Sequence, residues 1–494
     1  MLVSPLLLLL THAVACGEGD PSAPATDDDR DATTNDRDDA TTRDAAPEQD
    51  AAPRRDAATQ DATPDGAPVV DGGVGRVRSL AVGGRHTCAI LDAGAVKCWG
   101  DNEHGQLGLG DTQNRGENLD EMGDALPTVD LGRAAIAITA GEEHTCAILD
   151  DGSVRCWGRN ALGQLGIEDS QDRGDAPGEM GNALRAVDLG VDRTATAIVS
   201  GLGQHTCALL DDGAVKCWGD NGEGQLGQGN TRSVGATVGE MGSSLLSIDL
   251  GAGRMATAIV AGVSHTCALL DDGAVKCWGD NGEGQLGLGS SDRNRGAAPH
   301  QMGDALPAVA LGAGRTALML GAGALHTCAT LDNGALKCWG RNGDGQLGQG
   351  NTNDRGRGAN DMGDHLLPIE LGAERSASIV TAGNSRTCAI LDTGALKCWG
   401  SNSDGELGLG DRLPRGITPS HMGNGLRTVD LGSGRRAIAV AAGFSHTCAI
   451  LDDSTLKCWG GNYYGQLGLG EINRVRGDEA GEMGDDLPTV DLGE

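Results

Sequence analysis

HTCALLDDGAVKCWG, residues 205–219, returns with small changes six more times along this 494-residue chain. The copies are located by their cysteine pairs: Cys88 and Cys98, Cys146 and Cys156, Cys207 and Cys217, Cys267 and Cys277, Cys328 and Cys338, Cys388 and Cys398, Cys448 and Cys458. They recur about every 60 residues, and a tryptophan follows each second cysteine, from Trp99 to Trp459. A fixed period of this size marks a repeat architecture. Residues His205 to Gly227 and His265 to Gly287 are identical, which points to duplication.

In the first copy, Thr87 to Leu91 and Ala95 to Trp99 are short apolar runs separated by Asp92-Ala93-Gly94. That pattern predicts a hairpin with a three-residue loop, a type I turn followed by glycine in the left-handed region. With Leu91 opposite Ala95 as a hydrogen-bonded closing pair, counting outward sets Cys88 opposite Cys98 at a non-hydrogen-bonded position, where side chains stand closest. A cross-strand disulfide fits there. Buried free thiols are the alternative; zinc is disfavoured, since a nine-residue gap is unlike the short spacings of zinc sites.

After the tryptophan comes a second repeated element, for example GDNGEGQLGLG at 279–289. His-Thr, the Asp-Gly turn, Trp-Gly, Asn and Gly-Gln-Leu-Gly, recurring in order seven times, together resemble the regulator-of-chromosome-condensation repeat. The resemblance covers roughly residues 76–494 and implies an all-β fold, a seven-bladed β-propeller. Radial repetition suits the physics, because a small sheet buries both faces only against neighbouring blades. The family's founding chromatin member implies a nucleotide exchange activity.

Outside the repeats lie two further segments. Leu2 to Leu10 form an apolar run followed by Ala13-Val14-Ala15-Cys16, which resembles a secretory signal with a bacterial lipoprotein cleavage site. Residues 1–16 are therefore expected to be removed up to a lipidated Cys16, although the n-region lacks Lys and Arg and Ala13 replaces the usual Leu. The run is too short to span a bilayer as a helix. From 17 to 75 the chain is Asp, Ala, Thr, Pro and Arg without an aromatic residue, and reads as a disordered acidic linker. That linker carries a net −11, so −21 of the total −32 falls on the propeller. Such acidity argues against nucleic acid, which needs clustered Lys and Arg.

A strand-like segment such as Pro127 to Gly132 precedes each copy from the second onward, and Pro488 to Gly493 has no copy after it. The first copy needs that strand, so the C-terminal segment is expected to close the ring against Arg76 to Val82, with Pro68 to Asp71 as the rival. Between Gly-Gln-Leu-Gly and each such segment lies a loop of roughly twenty residues. Each holds a methionine (Met122, Met180, Met241, Met302, Met362, Met422, Met483), and six hold an aligned arginine (Arg115, Arg173, Arg295, Arg355, Arg415, Arg476), with Arg232 displaced in the third. Loops usually vary, so their likeness predicts a Met packed under each loop, with a shared binding rim as the alternative.

Candidate site residues fall into those that recur and those that depart from the repeat. Six copies begin with His (His86, His144, His205, His265, His326, His446) and one with Arg386. Being on separate blades they predict structural hydrogen bonds rather than one metal site. Asp220 to Gly224 faintly resembles a calcium loop, but the downstream bidentate Glu is absent, so a tight turn is expected. The basic residues before each second cysteine (Lys97, Arg155, Lys216, Lys276, Lys337, Lys397, Lys457) are expected to be solvated or ion-paired, an anion-binding ring being the alternative. Departures are scattered: Arg386, Glu406 for Gln, Ser454-Thr455, Ile167 to Asp169, and the aromatic trio Phe444, Tyr463 and Tyr464. None pairs a nucleophile with a base or forms a metal cluster, so no catalytic residue, metal or cofactor is assigned. The trio is the candidate contact patch, since Tyr is enriched at interfaces.

These readings favour a non-enzymatic, monomeric binding propeller, exported and lipid-anchored at the outer membrane or cell surface, or otherwise periplasmic or extracellular. Its partner would be a protein or glycan. Nucleotide exchange would require the cytosol or nucleus, which paired cysteines oppose. A secreted-enzyme inhibitor or a lyase is the third class.

Overall fold

A computed structural model of the chain describes residues 76–493 apart from Ser291; Leu2 to Leu10, Cys16 and the span 17–75 lie outside the described residues. Each repeat forms one antiparallel sheet, and there are seven sheets. In the first, Val77–Val82, His86–Leu91 and Val96–Gly100 pair in chain order. The Leu91 N–H donates to the Ala95 carbonyl at 2.8 Å and Gly94 takes φ of 82°, the closing pair and left-handed glycine that Asp92-Ala93-Gly94 predicts, but Ala93 also has a positive φ of 66°, so the turn of this blade is not the expected type I. Cys88 stands opposite Cys98, and the same register recurs in every blade. Their Cα atoms are 4.0 to 4.1 Å apart with the sulfurs within bonding distance, a geometry compatible with a disulfide in each hairpin.

The first strand of each sheet packs against the first strands of both neighbours, and the last of them, Ala437–Ala442, packs against Val77–Val82, so the ring is closed. These inner strands are rich in alanine, as in Ala256–Ala261, because wedges converging on an axis leave room only for small side chains. The second strand is buried along its whole length, being central in its sheet and covered on both sides. All seven tryptophans are fully buried, each reaching into the preceding blade: the Trp157 Nε1–H donates to the Gln106 carbonyl at 3.0 Å.

The outer position of each blade departs from the sequence expectation. The segment at Pro127 belongs to the blade before it: the Val129 N–H donates to the Val96 carbonyl at 2.8 Å, and the Val490 N–H to the Leu456 carbonyl at 2.8 Å. The first blade thus lacks nothing, and the C-terminal copy completes the seventh blade instead of pairing with Arg76 to Val82. It still closes the ring, since its Leu492 carbonyl accepts from Lys97 Nζ at 2.8 Å and Val490 and Leu492 share a core with Val77, Leu91 and Trp99.

The long loops reach back over the preceding blade, as where the Gly110 N–H donates to the Gly174 carbonyl at 2.9 Å. Met180 tucks beneath such a loop: a Cβ on Gly108, whose φ is 69°, would lie 2.9 Å from Trp157 Nε1 and 3.0 Å from the Met180 methyl. The packed-anchor reading of the methionines holds. The aligned arginines pair their backbone with the glycine after each tryptophan, and in the third loop Val234 occupies that slot, which is why Arg232 stands displaced.

Candidate binding face

Strand direction divides the disc into two faces. Inner strands end, second strands begin and third strands end on one face, which therefore carries the residues before each His and the Asn turns after each Trp. The hairpin turns lie on the other.

On the first face a closed hydrogen-bonded ring fixes the loops. His86 Nε2 meets Thr145 Oγ1 at 2.9 Å, His144 meets Thr206, His205 meets Thr266, His265 meets Thr327 and His326 meets Thr387. Arg386 then meets Thr447, and His446 returns to Thr87. Each threonine hydroxyl donates its single proton to a main-chain carbonyl of the preceding blade, as Thr145 does to Gln106 at 2.9 Å. Its oxygen must therefore accept, which fixes Nε2–H as the histidine tautomer. Burial lowers His86, His144, His265 and His326 to about 3, His205 to about 4 and His446 well below its ordinary value, and keeps them neutral. The structural reading of the histidines is correct.

The basic ring differs from expectation. Lys97, Lys216, Lys276, Lys337, Lys397 and Lys457 are buried, and they donate to main-chain carbonyls. Lys216 Nζ reaches Leu189 of the preceding blade's outer segment at 2.9 Å and Gly242 of its own loop at 2.8 Å. Arg155 bonds the Gly181 carbonyl of its own loop. Lys97, Lys216, Lys276, Lys337 and Lys397 each reach both such carbonyls and are staples between blades, neither solvated nor open to an anion, because the loop and the outer segment cover the side chain. Asp220 to Gly224 is a closed turn: Asn221 donates to the Asn230 and Arg232 carbonyls and accepts from the Leu226 N–H. Among the described residues no group of three or more His, Cys, Asp or Glu could hold a metal, and no helix is long and apolar enough to cross a membrane.

The two faces differ in kind. On the hairpin face Arg133, Arg193, Arg254, Arg315, Arg375 and Arg435 each pair with an aspartate of a hairpin turn, a pairing that repeats from blade to blade. On the first face the two residues before each His or Arg slot differ in every blade: Gly84-Arg85, Glu142-Glu143, Gly203-Gln204, Val263-Ser264, Ala324-Leu325, Asn384-Ser385 and Phe444-Ser445. These positions vary from blade to blade, as do exposed positions of the long loops such as Leu119, Pro177 and Val238.

All three members of the aromatic trio lie on this face. Tyr463 is 48% exposed and its hydroxyl donates to Asp404 Oδ1 at 3.0 Å. Arg85 of the first blade lies over the Tyr464 ring, 4.9 Å from its centroid. Phe444 is half-buried against Gly84.

A second cluster escaped the sequence reading. His104 Nδ1 lies 3.0 Å from Asp172 Oδ2, and its Nε2 lies 3.9 Å from Glu143 Oε2, which also pairs with Arg159. Glu142 beside it accepts from Gln204 Nε2 at 3.0 Å. The only available signal was that His104 occupies a turn position where the other copies carry Leu, Glu, Asp or Tyr; its partners come from the next repeat.

Residues 49–436 match the RCC1-like domain model, and residues 437–466 match the model of the regulator of chromosome condensation (RCC1) repeat. The chain is 30% identical over 402 residues to the ultraviolet-B receptor UVR8 of Arabidopsis thaliana, covering 80% of this chain and 79% of that protein. It is 31% identical over 284 residues to the human E3 ubiquitin-protein ligase HERC2, covering 56% of this chain but only 5% of HERC2. Among solved structures, human WBSCR16 is similar at a TM-score of 0.58 and 19% identity, over 76% of this chain and 86% of that one. Prp20p of Saccharomyces cerevisiae is similar at 0.56 and 22%, over 74% and 80%. By its repeat, its seven sheets and these matches, the chain belongs to the regulator of chromosome condensation (RCC1) repeat family.

Proposed function

We propose that this chain is a non-enzymatic binding propeller, exported and lipid-anchored to the cell envelope through Cys16, whose His-side face engages a protein or glycan partner. One observation carries the choice of face: the residues before each His slot diverge from blade to blade there, while the hairpin face repeats an Arg–Asp pairing. Divergence within a duplicated scaffold is what a surface shaped to one partner requires. A protein partner has support from fold neighbours, one of which is yeast RCC1 (Prp20) bound to Kap60. The signal-like segment before Cys16 and the seven facing cysteine pairs support an oxidising compartment outside the cytosol.

The test is photocrosslinking in intact cells. A photoreactive residue at position 85 or 143 is expected to trap a partner in the envelope fraction, whereas one at 333, in a hairpin turn, is not. Adducts formed mainly from 333, or only with cytosolic proteins, would overturn the reading.

A catalytic reading is favoured by one observation, His104 held between Asp172 and Glu143. Such a pairing suits proton transfer. Loss of a substrate-consuming activity in His104→Ala at unchanged stability would establish it.

A further inference from the structure

We propose that the hollow in the blade 2 loop, bordered by Gln171, Asp175 and Glu179, receives a guanidinium group, the side chain of an arginine on a protein partner. The inference rests on the His-side face being the working one, and it names the chemistry that face selects.

The loops repeat, so each shows what another lacks. In blades 2, 3 and 7 a glutamate near the loop's end accepts from two N–H groups at its start: Glu179 from Gly174 and Ala176, Glu240 from Gly235 and Thr237, Glu482 from Gly477 and Glu479. In two of the three an arginine of the chain itself meets the acids. Arg232 pairs with Glu240 in blade 3, and in blade 7 Arg412 reaches over from blade 6 to Asp478, the neighbour of Glu482, at 2.6 Å. Blade 2 has the acid pair of blade 7, Asp175 with Glu179, and neither arginine. Gln171 stands in the slot of Arg232, and Thr112 in that of Arg412. Backbone anchoring shows the slots to be equivalent. Asn160 and Asn221 bond the carbonyls of Asp169 and Asn230, two residues before Gln171 and Arg232, while Asn102 and Asn402 bond those of Asp111 and Asp411, one residue before Thr112 and Arg412.

A hollow of about 640 Å³ remains where no arginine enters. Asp175 Oδ1 is buried there and receives no hydrogen bond. Ionised carboxylates only accept, so Asp175 and Glu179 cannot satisfy each other; burial and the adjoining Asp175 carboxyl raise Glu179. The basic groups nearby are committed, Arg173 to Asp169 at 2.6 Å and His104 to Asp172 at 3.0 Å. What the pair lacks is a cationic donor. A bare calcium ion would need six or more oxygens, and among the described residues no group of three or more His, Cys, Asp or Glu could hold a metal. A guanidinium brings several N–H donors in one plane, and the chain uses that solution twice. Asp172 lines the hollow and also holds His104 beside Glu143, so the hollow adjoins the variable positions of the His-side face.

The seven loop methionines make the test internal. Met180 follows Glu179, and a Cβ on Gly174 would lie 3.4 Å from its sulfur, so its methyl reports on the hollow. Met241 and Met483 sit in the two loops that arginines already serve. In the full-length protein, isotope-labelled at the methionine methyls, Met180→Leu assigns the resonance by NMR. Nα-acetyl-argininamide is expected to shift Met180 but not Met241 or Met483, with a Kd of about 10 mM or tighter. The neutral isostere Nα-acetyl-citrullinamide should leave it in place. Gln171→Arg should abolish the response by filling the hollow as Arg232 does, without lowering the melting temperature. Asp175→Asn with Glu179→Gln should weaken binding about tenfold or more, and the fold tolerates the second change because Gln301 makes the same cap in blade 4. No shift of Met180, an equal shift of Met241 and Met483, an equal response to the citrulline compound, a response to calcium chloride in its place, or unchanged binding in Gln171→Arg would each overturn the site. If argininamide failed while position 143 still trapped a partner, the working face would stand and the arginine would fall. If argininamide bound but only position 333 trapped a partner, the face would fall instead.

Discussion

Arg386 Nε donates to Thr447 Oγ1 at 2.9 Å, in the slot where six histidines meet six threonines. Guanidinium can only donate, so Thr447 must accept, the direction that each threonine's bond to a main-chain carbonyl sets in the other blades. The exception shows what the slot requires: a buried donor, with charge tolerated where it is compensated. Burial lowers the Arg386 guanidinium to about 10, and Glu406, buried where other blades carry Gln, is the main group opposing that shift.

The two departures should therefore be coupled. Glu406→Gln alone leaves a buried cation short of its compensating carboxylate and is expected to cost about 1–3 kcal/mol. Arg386→His with Glu406→Gln rebuilds the pattern of the other blades and should recover most of that. Urea unfolding of the double-mutant cycle reads the interaction, and additive effects within about 0.3 kcal/mol would refute it.

The lysine staples yield a second expectation. Lys216→Met keeps the buried stem but strands the Leu189 and Gly242 carbonyls, each losing its donor. An unsatisfied buried acceptor costs about 1–3 kcal/mol, so a loss of about 2–4 kcal/mol is expected. Lys216→Arg should cost less, because Arg155 reaches the equivalent loop carbonyl, that of Gly181, in blade 2. Equal stability of Lys216→Met and wild type in denaturant titration would show the staples to be idle.

Here the limits of the sequence are plain. The register that faces Cys88 with Cys98 was legible because turn length and strand alternation are local rules. The Lys97 staple was not: one of its two acceptors, the Leu492 carbonyl, lies 395 residues away, and an isolated lysine reads as a surface residue. The outer segment was assigned to the wrong blade because periodicity gives the order of elements, while only the Val129 to Val96 bond shows which edge it joins. Tyr463 stood out as a rare residue type, but its pairing with Asp404 of another repeat did not.

Acid should unfold the propeller through its histidines. His86, His144, His265 and His326 are held at about 3 by burial, His205 at about 4, and His446 well below its ordinary value. In the unfolded chain each titrates near 6.5. Between those values the unfolded state binds more protons, so stability falls as pH drops from about 6.5 toward 3, by up to about 1.4 kcal/mol per histidine per pH unit. Asp101, Glu179 and Glu482, raised mainly by burial, act in the opposite sense but are fewer. The urea midpoint should decline steeply below about pH 6 with an uptake near six protons, and a flat midpoint between about pH 7 and pH 5 would contradict neutral burial of the ring.

The C-terminal segment should matter more than its position at the chain end suggests. Val490 and Leu492 are buried at 2% and 1% exposure in a core shared with Val77, Leu91 and Trp99, and the Leu492 carbonyl holds Lys97. Deleting residues 488–494 removes two buried aliphatic side chains, about 1.5–3 kcal/mol each. It also leaves Lys97 with one carbonyl instead of two and uncovers the edge at Leu456. The loss should exceed about 4 kcal/mol and expose Trp99 to quenchers before the other tryptophans, since its blade borders the gap. Deleting residues 17–75 should leave the unfolding midpoint unchanged. If the two deletions have the same effect, blades 1 and 7 are not held together by this segment, and the Val77 N–H bond to the Ser454 carbonyl, together with the inner strands, must carry the closure alone.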